Sequence, residues 1–174
     1  MVNIYFVTFH FENIDMTAIQ YLTGDATRPA TAGNKVIIHI CNDIGKWGKG
    51  FVLAISKRWK EPEASYGSWY KSGENFELGK VQFVQVSPDT WVGNIIGQHN
   101  IARKNSGATA PPIRYEAVAA GLKAVTDFAL AHNASVHMPR IGCGLAGGSW
   151  DNIEPLITET LGAHDIAAFV YDFA

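Results

Sequence analysis

Short apolar runs alternate with glycine- and proline-broken polar stretches along the whole chain. Residues 3–11 and 18–22 carry Ile4, Tyr5, Phe6 and Val7, then Ile19 and Tyr21, and predict two β-rich runs across a polar turn. Residues 28–34, with Pro29 and Gly33, predict a loop. Residues 36–40, Val-Ile-Ile-His-Ile, form a continuous apolar run, the pattern of a strand buried on both faces. This run empties into a glycine-punctuated loop over residues 41–50. Residues 51–59 predict a short helix with Lys57 and Arg58 at its C-terminal end, where cations suit the helix dipole. Residues 61–72, opening Glu61-Pro62, predict a second helix.

The second half repeats the alternation. Residues 80–86 and 90–97 predict strands joined as a hairpin through Ser87-Pro88-Asp89. Residues 100–112 are polar and predict a surface loop. Over 113–132, Val118, Leu122, Val125 and Phe128 recur at helical spacing. Residues 135–138 predict a strand, 139–149 a second glycine-rich loop, and 152–161 a helix ended by Gly162. Proline is tolerated only in a first turn, so Pro155 predicts that this helix starts no earlier than Asp151. Residues 167–171 predict the closing strand. The expected fold is α/β: one three-layer domain over 1–174, with a mixed, mostly parallel sheet flanked by helices.

Composition narrows the function. Hydrophobic residues make up 47% and charged residues 17%, which excludes a disordered chain. A formal charge of −2 argues against a duplex-DNA or polybasic membrane partner. No apolar run reaches the roughly 18 residues that span a bilayer. Asn3, His10, Glu12 and Asn13 interrupt the first apolar stretch, and no cationic segment precedes it, so no signal peptide is expected. Two cysteines, Cys41 and Cys143, without a CxxC, predict reduced thiols in a cytoplasmic protein. His10, His132, His137 and His164 lack metal-ligand spacing, so neither a metal nor a cofactor is expected.

Open α/β sheets bind ligands where strands empty into loops at their carboxyl ends. Both glycine-rich loops stand at such places. Glycine lets backbone amides approach an anion closely, so the pair suits a ligand with two phosphates. The string Gly142-Cys143-Gly144-Leu145-Ala146-Gly147 matches G-x-G-x-x-G, which keeps an NAD(P)-binding enzyme in view. Its late position, and Asp172 as the one acid available for a ribose, count against that reading.

Four strings resemble the macrodomain family, which binds ADP-ribose and related nucleotides. Gly24-Asp25-Ala26-Thr27 looks like the family's adenine-recognising element. Ile38-His39-Ile40-Cys41-Asn42, with Gly45, Trp47-Gly48 and Gly50, is similar to the first ligand loop of its ADP-ribose 1″-phosphate phosphatase branch. Met138-Pro139-Arg140-Ile141-Gly142-Cys143-Gly144-Leu145 with Trp150 resembles the second ligand loop, shared with the terminal ADP-ribose glycohydrolases. Val170-Tyr171-Asp172 resembles the terminal strand.

By resemblance, Asp25 and Ala26 would hold adenine and Asn42 the distal ribose. Trp47, Gly48, Gly50 and Phe51 would line the ligand from the first loop. Ile141, Gly142, Cys143, Gly144, Leu145, Ala146 and Gly147 would hold the diphosphate from the second. Asn42 and His39 are the candidate catalytic residues, although His39 also reads as a buried core histidine. Gln98 and Ala146 stand where the glycohydrolase branch places a lysine nucleophile and an aspartate. The resemblance therefore implies ADP-ribose or a derivative as ligand, ADP-ribosylated macromolecules as wider partners, and hydrolysis of the 1″-phosphate as the leading activity. A non-catalytic ADP-ribose reader is the alternative.

Overall fold

The computed structural model describes residues 19–103, 107 and 109–173. The run expected at 3–11 lies outside the described residues. Six strands form one sheet in the order β1 (Gln20–Thr23), β6 (Ala168–Asp172), β5 (Ala134–Pro139), β2 (Asn34–Asn42), β4 (Thr90–Gln98), β3 (Val81–Ser87). Only β3 runs antiparallel to its neighbour, as the hairpin through Pro88-Asp89 requires. The other adjacent pairs are parallel, so their carboxyl ends share one edge of the sheet.

Period-two alternation sends the side chains of β2 to two separate cores. Val36 and Ile38 join Val118, Leu122 and Val125 of α3 (Tyr115–His132) and Ile153 and Ile157 of α4 (Trp150–Thr160) in the larger core. Cys41 joins Tyr66 of α2 (Glu61–Ser72) and Ile96 in a smaller one on the opposite face. His39 points to that second face, against Phe51 at the start of α1 (Phe51–Arg58). Helices on both faces make the three layers that the alternation implies.

Two expected helix starts shift. Ile113 is not helical: it makes an antiparallel bridge with Gln98, and its N–H donates to the Ala146 carbonyl at 3.0 Å. That tertiary pairing overrides its apolar periodicity, and α3 begins at Tyr115. In turn, α4 begins at Trp150, one residue before the limit drawn from Pro155. Pro155 and Asp151, four residues apart, both face solvent, so water can reach the carbonyl that the missing N–H leaves free.

Candidate functional site

Two adjoining clefts, of about 380 and 560 Å³, run along the carboxyl edge between the two glycine-rich loops. Ile40, Lys49, Val52, Gln98 and Leu145 line both, so they form one continuous groove. Lys46 and Lys49 contribute cations to its walls, Arg140 also lines it with its charge paired to Asp172, and neither Asp nor Glu appears among the described lining residues. A groove of that charge suits an anion.

Asn42 organises the first loop. The sheet register shifts between Cys41 and Asn42, so Asn42 pairs with Gln98. Its Oδ1 accepts from the backbone N–H of Ile44 at 3.2 Å and of Lys46 at 2.9 Å, and its Nδ2 donates to the Lys46 carbonyl at 2.7 Å. The carboxamide thus closes the turn that presents Lys46, Trp47 and Gly48 to the first cleft. Trp47 is held in turn: its indole N–H donates to Ser56 Oγ at 2.8 Å, and Ser56 donates to Glu63 at 2.7 Å. Its ring stands edge-on to His39 at 5.3 Å.

His39 forms part of the floor of the second cleft but is only 2% exposed. One ring nitrogen, Nε2, shares a 2.6 Å hydrogen bond with Asn94 Oδ1, which makes that nitrogen the protonated one. Burial pushes its pKa down to about 4, with the Asn94 bond opposing, so the ring is neutral around pH 7.

The second loop folds on its own carbonyls. Gly148 N–H donates to Gly142 O at 2.8 Å, Gly147 to Gly144 at 3.0 Å, and Cys143 to Arg140 at 3.3 Å. Gly142 has φ +73°, which strains any L side chain, and a Cβ there would lie 2.7 Å from Ile113 Cδ1, which would have to shift, so glycine is favoured. Gly144 differs: a Cβ would meet nothing within 4 Å, because its free side opens into the second cleft. Ile141 and Ala146 are buried anchors and offer the groove mainly backbone. Leu145 is exposed between the two clefts, 3.5 Å from where a Cβ on Gly50 would stand. Burial raises the Cys143 thiol pKa, with Arg140 opposing, so this is no activated thiolate.

Asp25 and Ala26 sit beyond β1, beside the end of β6, where Gly24 N–H donates to the Asp172 carbonyl at 2.8 Å. Asp25 Oδ1 accepts from the Thr27 amide and hydroxyl, each at 2.8 Å, while Oδ2 lies 3.7 Å from Arg28 Nε. One oxygen therefore builds the turn, and the other faces Arg28 across an exposed ion pair. Ala26 itself is buried. Asp172 is committed: Arg140 grips both its oxygens, at 2.6 and 2.8 Å, over the rings of Tyr21 and Trp150. The one acid that could have served a dinucleotide's ribose is thereby removed.

Sequence reasoning missed two residues, Phe173 and Tyr66, and one pairing, that of Asp43 with His99. Phe173, 74% exposed, lines the second cleft as an unburied aromatic face. Tyr66 hydrogen-bonds Asn42 from α2, and Asp43 bonds His99 across 56 positions. An exposed aromatic next to the terminal strand was a visible signal; the other two pairings depend on topology.

No family model matches the chain. Among curated proteins, it is 31% identical over 172 residues to the chromodomain-helicase-DNA-binding protein 1-like of Mus musculus, covering 94% of this chain. It spans only 19% of that relative's length. An ADP-ribose 1″-phosphate phosphatase of Candida albicans is 24% identical over 151 residues, with 81% of this chain and 92% of that protein covered. An ADP-ribose glycohydrolase of Bos taurus is 24% identical over 161 residues, with 92% and 95% covered. A structure from Bacteroides thetaiotaomicron of unknown function shares 59% identity at a TM-score of 0.85, covering 89% of this chain and 98% of that one. A macrodomain protein from Streptomyces coelicolor shares 50% identity at a TM-score of 0.80, covering 90% of this chain and all of that one, 100%.

Proposed function

This chain belongs to the macrodomain family, and on that premise we propose that it binds ADP-ribose or a derivative and hydrolyses it, with ADP-ribose 1″-phosphate as substrate. The observation that carries the reading is the groove between the two glycine loops. It is walled by Lys46, Lys49 and backbone, free of described carboxylates, and closed at its far end by the Asn42 turn. Backbone amides of residues 142–147 and the Gly48–Gly50 segment would take the diphosphate. Asp25 Oδ2, which faces Arg28 beyond hydrogen-bond distance, would accept from the exocyclic amine of adenine. Phe173 offers an aromatic face near that end. The names of the Candida and Bos relatives, a phosphatase and a glycohydrolase of ADP-ribose compounds, support hydrolysis.

A second reading, a reader of ADP-ribosylated macromolecules, is favoured by two residues. Gln98 spends its Nε2 on the Asn100 carbonyl, and Ala146 is a buried methyl, so neither supplies a nucleophile or an acid. We place the protein in the cytoplasm on its two free thiols; no helix among the described residues is long and apolar enough to cross a membrane.

The test pairs calorimetry with turnover. ADP-ribose should bind and NAD should bind more weakly, and incubation with ADP-ribose 1″-phosphate should release phosphate. Asp25→Asn keeps an Oδ1 for the Thr27 turn but replaces the Oδ2 acceptor with a donor. A charge-assisted bond is worth about 1.5–3 kcal/mol, so affinity should drop roughly ten- to a hundredfold. Unchanged affinity would place adenine elsewhere. Binding without phosphate release would favour the reader.

A further inference from the structure

Beyond the first cleft, at its Asn42 end, a carboxylate holds a histidine in an orientation that the binding of ADP-ribose does not explain. Asp43 follows Asn42, and His99 follows Gln98, the residue with which Asn42 pairs in the sheet. Asp43 Oδ2 lies 2.7 Å from His99 Nδ1, and its Oδ1 accepts the Asn100 N–H at 2.7 Å. The backbone fixes both partners: Asp43 N–H donates to the Gln98 carbonyl at 3.1 Å, and His99 N–H to the Pro112 carbonyl at 2.9 Å. Asp43 is mostly covered, at 18% side-chain exposure, whereas the His99 side chain is 56% exposed.

With Nδ1–H directed at a carboxylate, the lone pair of the neutral ring lies on Nε2. His99 lines a third cleft, which meets the first along Ile101, Ala102 and Leu145. Arg103 and Arg114 also line that third cleft, and no carboxylate is among its described lining residues. His39 offers a contrast, being buried with a nitrogen already bonded inside the fold.

We propose that Asp43 and His99 form a catalytic dyad on the third cleft, which adjoins the first, with His99 as general base for water and Asp43 as its positioning residue. The proposal rests on the hydrolytic reading above and specifies its chemistry. His99 Nε2 takes a proton from water as the water oxygen bonds to C1″ of the distal ribose. The bond from C1″ to the phosphate oxygen breaks, and its electron pair leaves with the phosphate. The ester reacts as its monoanion, so the group leaves as hydrogen phosphate and needs no further proton, and the third cleft offers it the charges of Arg103 and Arg114. Attack on phosphorus would instead expel a sugar oxygen that requires a proton in line with the attack. One base beside a cationic cleft matches the first route.

The experiment uses the whole chain with ADP-ribose 1″-phosphate, in ordinary and in ¹⁸O-labelled water. His99→Ala and His99→Gln should lower kcat by about 10²–10⁴-fold, the usual reach of general-base catalysis, while the Kd for ADP-ribose stays within twofold. Asp43→Asn should lower kcat less than either, with KM little changed. Added imidazole should restore part of the rate to His99→Ala, which a merely structural histidine would not allow. Phosphate released in ¹⁸O water should carry no label. Wild-type kcat in both His99 variants overturns the dyad, as does loss of ADP-ribose affinity in step with the rate. Label in the phosphate overturns attack at C1″. A wild-type chain that binds ADP-ribose yet releases no phosphate overturns the hydrolytic reading and the dyad with it.

Discussion

Tyr66 sets its hydroxyl between the two oxygens of Asn42, 2.7 Å from the backbone carbonyl and 3.0 Å from Oδ1. The ring is 1% exposed and packs on Trp47 and Phe76, so the hydroxyl has no water to turn to. Helix α2 thereby fixes the residue that closes the first loop. Tyr66→Phe removes the donor and leaves a buried carbonyl without it, at a cost of about 1–3 kcal/mol. The loop should loosen more than the sheet does. Urea unfolding should show that loss in midpoint, and ADP-ribose affinity should fall about tenfold. A variant that loses stability but binds as wild type would separate α2 from the ligand loop.

Acid should weaken the fold well before its carboxylates titrate. His39 and His137 are buried, and burial holds the pKa of each down at about 4, against an ordinary value of 6.5. The nearby charge of Lys35 pushes His137 in the same direction. Above pH 6.5 both states leave these rings neutral, and stability is fully present. Between pH 6.5 and 4 the unfolded chain takes up protons that the folded chain refuses, so stability declines as the pH falls. Each ring accounts for roughly 2–3 kcal/mol over that window. Asp89, held near 2 chiefly by its hydrogen bond from Lys35, acts in a lower window, where stability present above the usual carboxylate range is lost as pH approaches 2. Urea midpoints at pH 7.5, 5.5 and 4.5 should decrease in that order. His137→Asn should flatten the decline; an unchanged slope would exclude His137 as a source.

Two glycines in one loop should respond in opposite ways to a side chain. Gly144 opens into the second cleft, so Gly144→Val should keep the fold and block the ligand. Gly142 combines φ +73° with the close approach of Ile113, so Gly142→Ala should destabilise the chain by about 1–3 kcal/mol. Thermal unfolding and calorimetry read the two effects separately. Wild-type ADP-ribose affinity in Gly144→Val would move the diphosphate off this loop.

How far the sequence could be read depended on whether a residue's fate was local. Helix α2 lies where Glu61-Pro62 and the spacing to Ser72 put it, because its start and stop signals sit within its own turns. Strand β2 was visible at its apolar centre but runs from Asn34 to Asn42, because polar ends pair as well as apolar ones when a neighbour supplies the ladder. Ile113 looked helical and became a bridge partner of Gln98, a contact no window of nearby residues contains. In the site, the glycine loops and Asp25 stood out as strings. His39 read both as a buried core histidine within an apolar run and as a catalytic partner of Asn42; strand alternation turns it toward α1 and buries it, as the first of these readings has it. The partnership of Asp43 with His99 exists only once β2 and β4 lie side by side.

The remaining prediction concerns an absence. Covalent removal of ADP-ribose by a lysine needs an unprotonated amine beside the distal ribose, able to form an imine that borohydride would reduce. Gln98 lines the groove but carries an amide, which cannot form one. Lys46 and Lys49 also line the first cleft, and both are exposed to solvent rather than enclosed by apolar groups. These same two lysines supply the cationic walls of the groove, and a cationic ammonium has no lone pair with which to attack. Nothing among the described lining residues desolvates either one. Incubation with ADP-ribose or an ADP-ribosylated peptide, followed by borohydride and intact-mass measurement, should therefore leave the mass of the chain unchanged. Hydrolysis of ADP-ribose 1″-phosphate should proceed at full rate in Lys46→Gln and Lys49→Gln once substrate is saturating, with any deficit confined to KM. A stable ADP-ribosyl mass increment on a lysine, abolished by one of these substitutions, would replace direct attack by water with a covalent route through that residue.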